Sequence, residues 1–424
     1  MPDPNFSLDR HVRQMQVPNG NLNALIGLSA TLMRSAWDWQ HPLWEVFLLQ
    51  PPRGPSSLWI RAHRASLPWE DEAVLLNALL TPQPSVLRRG AQHESQQNPS
   101  AIPPEGERTA SAVRAVQQFI ERIRRTWLNT STVQPYVEAV AATLRAVLIP
   151  PPSISPFNGE LSGRFDLAAL SVDVNQLREI RNRAGGTLLE ILLSSILGGL
   201  ERALSGPALP TLPHHLVVLV PLTSGSEQDA RRLGTRSTLA AARLPLMVQD
   251  PVHRLRRVSA ELDLLRATGA TDRFRRALAV IRSLPQPALG AVVDMLPRAA
   301  PVHTICTELP SLRERRYVAG AQVLEVLPFA SPLLGVRVVF TLQTYADRVG
   351  LGIAVDLQCP LRAERLARST RAALDELGEA LGIGHRGLSS AEHTMPRSTL
   401  RAAVPKATQA SRKSKTKDDR LTRS

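Results

Sequence analysis

The stretch RVVFTLQTYADRVGLGIAVD, residues 337–356, decides how the chain is read. Apolar and β-branched residues fill both halves, and YADR at 345–348 interrupts them with the polar residues of a tight turn, so the spacing predicts a two-stranded hairpin. Working outward, LLEILLSSILGGLERAL at 188–204 is apolar on nearly every face and long enough for a buried helix. HLVVLVPL at 215–222 is a short continuous apolar run, the pattern of a strand covered on both sides. Strands and helices therefore alternate from about residue 157 onward, which is an α/β pattern.

Residues 1–80 carry the same alternation in shorter pieces. LNALIGLSATLMRSAW at 22–37 reads as a helix with Leu22, Leu25, Ile26 and Ser29 on one face. Residues 81–110 are rich in Pro, Gln and Ser and hold few large apolar groups, so burial cannot offset the entropy of ordering them. Helical periodicity returns through Val113, Val116, Phe119, Ile120 and Ile123, is interrupted at Pro135, and ends in IPPPSISP at 149–156. Four regions follow: a partial N-terminal domain at 1–80, a linker with connector helices at 81–156, a C-terminal domain at 157–390 and a basic, disordered tail at 391–424.

Composition narrows the classes. The chain has 424 residues, 43% apolar and 21% charged, enough for a sizeable core. Its two cysteines, Cys306 and Cys359, fit neither a disulfide framework nor a zinc spacing, which points to a reducing, cytoplasmic setting. MPDPNFSLDR lacks the pattern of a signal peptide, and no apolar run reaches the ~18 residues a membrane span needs. The net charge of +14 is concentrated: every lysine lies beyond residue 400, and from residue 391 nine Lys/Arg face three Asp/Glu. Without a recognition helix, a zinc module or interleaved aromatics, this charge predicts no specific nucleic-acid binding. Contact of the basic tail with anionic lipid, at the inner face of the plasma membrane or on a lipid droplet, suits it better.

Taken in order, DPNFSLDRHVR, HPLWEVFLL, FNGELSGR, GGTLLEILLSSILGGLERAL, VPLTSG, LGTRST, DPVHRL, YVAGAQVLEVLPFASPLLGVRVVF and TYADRVGLGIAVD resemble the landmarks of the bacterial wax ester synthase/diacylglycerol acyltransferase family. The resemblance spans about residues 3–381. It implies an α/β, two-domain fold like that of the CoA-dependent acyltransferases such as chloramphenicol acetyltransferase, with mixed sheets flanked by helices and the site where the domains meet. It also implies acyl-CoA and a lipid alcohol as substrates, with no separate cofactor. Relative to the family, the chain begins almost at the DPxFDLxxHV landmark, so the first-domain sheet is expected to lack strands.

Active members of the family carry HHxxxDG, in which the second histidine takes the hydroxyl proton. Histidine suits that step because it exchanges a proton near neutral pH. In WIRAHRASLPWED, residues 59–71, the match puts His63 on the first histidine, Arg64 on the second, Pro68 on the aspartate and Trp69 on the glycine. Arginine stays protonated, so Arg64 cannot serve as the base. A one-residue slip makes His63 the base but places Leu67 and Pro68 on the aspartate and glycine, so the motif is broken in either register. His63 is the candidate catalytic residue; its alternative reading is a partly buried histidine at a strand end. Glu70 and Asp71 read as acids opening the helix DEAVLLNALL.

His214 and His215 form a second pair, but no acid follows within the strand, and they read as structural. Two further departures concern the site. Leu189 and Glu190 stand where the family shows an Asn-Asp pair, and TELPSL at 307–312 puts Glu308 and Ser311 on the asparagine and glycine of SNVPGP. Trp44, Asn158, Gly159 and Arg236 are kept and read first as packing and turn residues, with Trp44 and Arg236 the candidate substrate contacts. Two functions stay open: an O-acyltransferase acting on diacylglycerol or a long-chain alcohol, or a non-catalytic relative that binds lipid, a membrane surface or an active paralogue.

Overall fold

A computed structural model of the chain describes residues 6–18, 20–63, 72–84, 155–204, 214–223, 237–269 and 302–383. Residues 85–154 of the linker and connector region assigned to 81–156, the basic tail, Arg64, Pro68, Trp69 and Arg236 lie outside the described residues. Two sheets organise the rest. In the small one, α1 (Leu8–His11) leads into β1 (Val12–Gln16), α2 (Leu22–Arg34) crosses over to β2 (Trp44–Gln50), and β3 (Ser57–Ala62) follows. The order is β1-β2-β3, with β1 parallel to β2 in the register Val12↔Val46 and β3 antiparallel in the register Trp44↔Ala62. Among the described residues no strand pairs with the outer edge of β1, whose Val12 is exposed.

Asn21 starts α2, its side chain accepting from the Ala24 amide at 2.7 Å in the manner of an N-cap. The helix carries two apolar stripes. Leu25, Leu28 and Leu32 pack with Phe47, Leu49 and Trp59 of the small sheet. Ile26, Ala30 and Met33 meet Phe165, Leu167, Ala169 and Ala354 of the large sheet, so α2 lies between the two. Leu22, expected on the buried face, is 41% exposed instead. It sits in the first turn, beyond the reach of either sheet's apolar contacts.

The large sheet holds β4 (Phe165–Asp173), β5 (His215–Thr223), β6 (Ser237–Pro245), β7 (Thr304–Glu308), β10 (Val338–Tyr345) and β11 (Arg348–Asp356). Its order is β4-β11-β10-β7-β5-β6, mixed, with β7 parallel to both β10 and β5. The predicted hairpin is β10–β11, closed by the Tyr345↔Arg348 pair around a two-residue turn in which Ala346 takes φ 49°. A short hairpin, β8 (Tyr317–Val318) with β9 (Ala321–Gln322), precedes it. Backbone bonds of 2.9 and 2.8 Å join Tyr317 to Thr81, while Leu76 of α3 (Glu72–Leu79) and Leu80 pack with Leu312 and Tyr345.

One face of this sheet is covered by α4 (Val174–Ala184), α5 (Leu188–Leu204), α6 (Pro251–Ala267) and α7 (Ala363–Ala380). The helix α5 has the bounds its sequence predicts and buries Ile191, Leu192, Leu193, Ile196, Leu197 and Leu200. Each contributes about 1.5–3 kcal/mol relative to exposure. Gly198 and Gly199 let α7 come close: a Cβ on Gly199 would lie 2.7 Å from Thr370 Cα. All the described residues belong to one compact unit, Met1–Gly384.

Candidate active site

The site is built from the end of β3. Arg61 is inside the strand and 9% exposed, with its guanidinium under the end of α2. The last carbonyls of a helix have no partner within it. Arg61 Nη1 donates to the Leu32 and Ser35 carbonyls at 3.2 and 2.7 Å, and Nη2 to that of Ala36 at 3.4 Å. Its Nε and Nη2 hold Glu45 Oε2 on the neighbouring strand at 2.6 and 2.5 Å. The same guanidinium lies 4.0 Å from the centre of the Trp37 ring, a cation–π contact.

His63 follows two residues later, on the same face of the extended chain. Its backbone N–H donates to the Leu43 carbonyl at 2.8 Å, carrying the β2–β3 ladder one residue past the strand. The half-buried ring meets Trp37 at 5.7 Å and Trp39 at 5.2 Å between centroids, both nearly perpendicular. Trp39 itself is 71% exposed. The candidate base is thus held at a strand end between two indoles, one fixed by Arg61 and the other facing solvent.

Two other histidines lie beside this sheet, His11 at the end of α1 and His41 in the segment before β2. His41 Nδ1 donates to Asp38 Oδ2 at 2.7 Å, a carboxylate–imidazole pair. The Gln40 amide and then His41 hold the Asp38 carboxyl below its usual range. Arg10 donates to His41 Nε2, which occupies the nitrogen a base would use. His11, 3% exposed, donates from Nδ1 to the Trp44 carbonyl at 2.8 Å and stacks on the Trp44 ring at 4.4 Å. Trp44, a candidate substrate contact, has its ring against His11 and its carbonyl bonded to it.

In the large sheet, Asn158 and Gly159 form a turn against Gly335 and Val336, with Gly159 at φ 135°. His215 opens β5, and burial together with Arg243 keeps it below the usual histidine range. Glu308, at the end of β7 beside Leu342, is half-buried, and burial pushes its carboxyl up.

Glu190, which stands where the family shows an aspartate, closes a capping box at the start of α5: Glu190 Oε2 accepts from the Thr187 amide at 3.0 Å, and the Glu190 amide donates to Thr187 Oγ1 at 3.3 Å. Ser259 and Arg266 of α6 add bonds of 2.9 and 2.8 Å. Burial acts to raise the carboxyl, but Arg266, the Thr187 amide and Ser259 together hold it below its usual range.

Residues 1–191 match the family model described as the wax ester synthase/diacylglycerol acyltransferase catalytic domain, and residues 233–378 match the WS/DGAT C-terminal domain. The chain belongs to this family. A probable diacylglycerol O-acyltransferase of Mycobacterium tuberculosis is 25% identical over 380 residues, covering 88% of this chain and 80% of its own. A putative diacylglycerol O-acyltransferase of Mycobacterium bovis gives the same figures. The solved structure of the wax ester synthase/diacylglycerol acyltransferase from Marinobacter aquaeolei VT8 matches with a TM-score of 0.63 at 17% identity, over 90% of this chain and 82% of that one. That likeness bears on the fold, which is the mixed α/β fold of the CoA-dependent acyltransferases. Membership of the WS/DGAT family makes acyl transfer the functional class of the chain and implies acyl-CoA and a lipid acceptor as substrates. No helix among the described residues is long and apolar enough to cross a membrane.

The Arg61 clamp and the Asp38–His41 pair were not singled out in the sequence. Trp37-Asp38-Trp39, two indoles flanking an acid just after a helix, was the available signal.

Proposed function

We propose that the protein transfers a fatty acyl group from acyl-CoA to the hydroxyl of a diacylglycerol or long-chain alcohol, with His63 as the base and no cofactor besides the acyl-CoA substrate. The observation that carries this reading is the placement of His63 at the end of β3, between Trp37 and Trp39, on a strand pinned by Arg61. An alcohol is too weak an acid to attack a thioester without help. His63 takes its proton, the oxygen attacks the thioester carbonyl, the C–S bond breaks, and the proton passes from the imidazolium to the CoA sulfur. A rigid strand suits this step because a base displaced by an ångström loses most of its effect. Arg64 stays protonated in the neighbouring position, so the reading needs His63 itself. The acceptor is drawn from a membrane or droplet surface.

The test is CoA thiol release from palmitoyl-CoA with dioleoylglycerol or hexadecanol. Alcohol-dependent release that falls at least ~100-fold in His63→Ala is the expected result. Folded wild-type protein that binds acyl-CoA or liposomes but gives no alcohol-dependent release would overturn it and establish the non-catalytic alternative. Turnover unchanged in His63→Ala would keep the activity but remove His63 from it.

A further inference from the structure

Two buried polar atoms near the start of β7 have no hydrogen-bond partner: His303 Nε2 and Asn158 Oδ1. They sit at one corner of the large sheet. Asn158 donates from Nδ2 to the carbonyl of Val302, the residue before His303, at 2.8 Å. Its neighbour Phe157 meets the His303 ring edge-on at 6.4 Å between centroids.

The character of each orphan follows from its neighbours. A backbone amide only donates, and that of Val217 points at His303 Nδ1 at 2.9 Å, so Nδ1 holds a lone pair. An imidazolium would carry protons on both nitrogens, so the amide aimed at Nδ1 makes the ring neutral with its single proton on Nε2; the residue is 1% exposed, and its burial acts in the same direction. On Asn158, the Val302 carbonyl requires the NH₂ group on its side, which fixes the orphan as the carbonyl oxygen. Two neighbouring residues therefore carry a fixed donor and a fixed acceptor, each cut off from bulk water. Buried polar groups are nearly always satisfied, by protein or by a bound molecule.

We propose that this corner is a binding site for a single neutral hydroxyl group, which accepts from His303 Nε2–H and donates to Asn158 Oδ1. A carboxylate or carbonyl would meet the donor and repel the acceptor; an ammonium would do the reverse. A hydroxyl satisfies both. Its source is either water, which makes the site structural, or the alcohol of an acyl acceptor, an assignment that rests on the acyl-transfer reading. The site itself stands without that reading, because neither residue is part of the His63 cluster.

A crystal structure of the full chain, at a resolution that shows ordered water, tests this with and without a soak in 1-hexanol. The expected result is one oxygen within hydrogen-bond reach of both atoms in the unsoaked crystal. Carbon density growing from that oxygen after the soak assigns the acceptor as the source, and an unchanged oxygen assigns water. Absence of an oxygen at the corner, or Nε2 bonded to a protein group, overturns the proposal. In solution, ¹⁵N-histidine NMR should show the Nε2–H tautomer for His303, its proton exchanging at least tenfold faster in Asn158→Leu. An Nδ1–H tautomer, or exchange unchanged in that variant, would equally count against it. None of these readouts depends on CoA release, so they fail or succeed independently of the proposed function.

Discussion

The two sheets are held together in different ways. The large sheet has an apolar interior in which strands alternate between a face packed on four helices and a face turned toward α2. The small sheet has a short apolar core, Val17, Leu32, Phe47 and Leu49, and beside it the ion-paired Arg61–Glu45 clamp. Burial stabilises wherever apolar surfaces meet, but an ion pair works through geometry, because its desolvation cost is offset only when every donor is placed. The contrast separates tasks: the large sheet supplies most of the stability, and the small one holds His63 in a fixed orientation. Substitutions in the two regions should therefore fail differently.

The largest loss is expected in the apolar region. Gly199→Val would drive a branched side chain into the Thr370 backbone where α5 and α7 cross. Overpacking of this kind costs about 3 kcal/mol when the neighbour is backbone that cannot move aside. Urea unfolding should show one cooperative transition at a lower midpoint. A midpoint within error of wild type would mean the helices separate readily and the core is less tightly fixed than the glycine contacts imply.

Arg61→Leu should come next, at about 2–3 kcal/mol, since Glu45 Oε2 loses its close partner, keeping only Arg13 at 3.6 Å from the other oxygen, and the Ser35 and Ala36 carbonyls just past α2 lose the guanidinium, while Leu32 keeps the Ser35 amide and hydroxyl. The loss should be local. Hydrogen exchange is expected to quicken in β2, β3 and α2 well before β10 and β11 respond. Equal acceleration in both sheets would show that α2, packed on each, couples them into one unfolding unit and would dissolve the contrast.

What could be read from the sequence follows the same division. The β10–β11 hairpin, α5 and β5 were legible because apolar runs, a polar turn and helix length are local signals. The clamp was not, because Arg61 meets carbonyls 25 to 29 residues away and nothing in its own neighbourhood marks them. His63 was found only through the family motif, and its indole neighbours came from a different segment. The role of Glu190 was legible in principle, because Thr187 and Glu190 have the spacing of a capping box, whereas its bonds to Ser259 and Arg266 come from residues of another helix, 69 and 76 positions away.

Glu190→Gln tests that role at about 1.5–2 kcal/mol, the range of a hydrogen bond to a charged group. Because the carboxyl is held below its usual value in the folded chain, its contribution is complete above about pH 4.5 and is lost as the pH falls through the folded value. Wild type and variant should thus differ near pH 7 and converge below about pH 4.5, as seen in urea midpoints across that range. Curves that stay parallel would mean the Arg266 pair adds nothing beyond what a neutral amide supplies.

The smallest effect concerns Leu22, the residue whose place was misread. A single-face helical pattern assigns it to the core, yet α2 has two stripes because it lies between two sheets, and Leu22 belongs to neither. Leu22→Ser should change stability by no more than about 0.5 kcal/mol, as for most exposed positions. Ile26→Ser, one turn along and 7% exposed, should cost several times more. If Leu22→Ser instead proved as damaging as Ile26→Ser, the first turn of α2 would be covered in solution by something that packs on Leu22, and the small sheet's apolar core would extend further than Leu25, Leu28 and Leu32 now indicate.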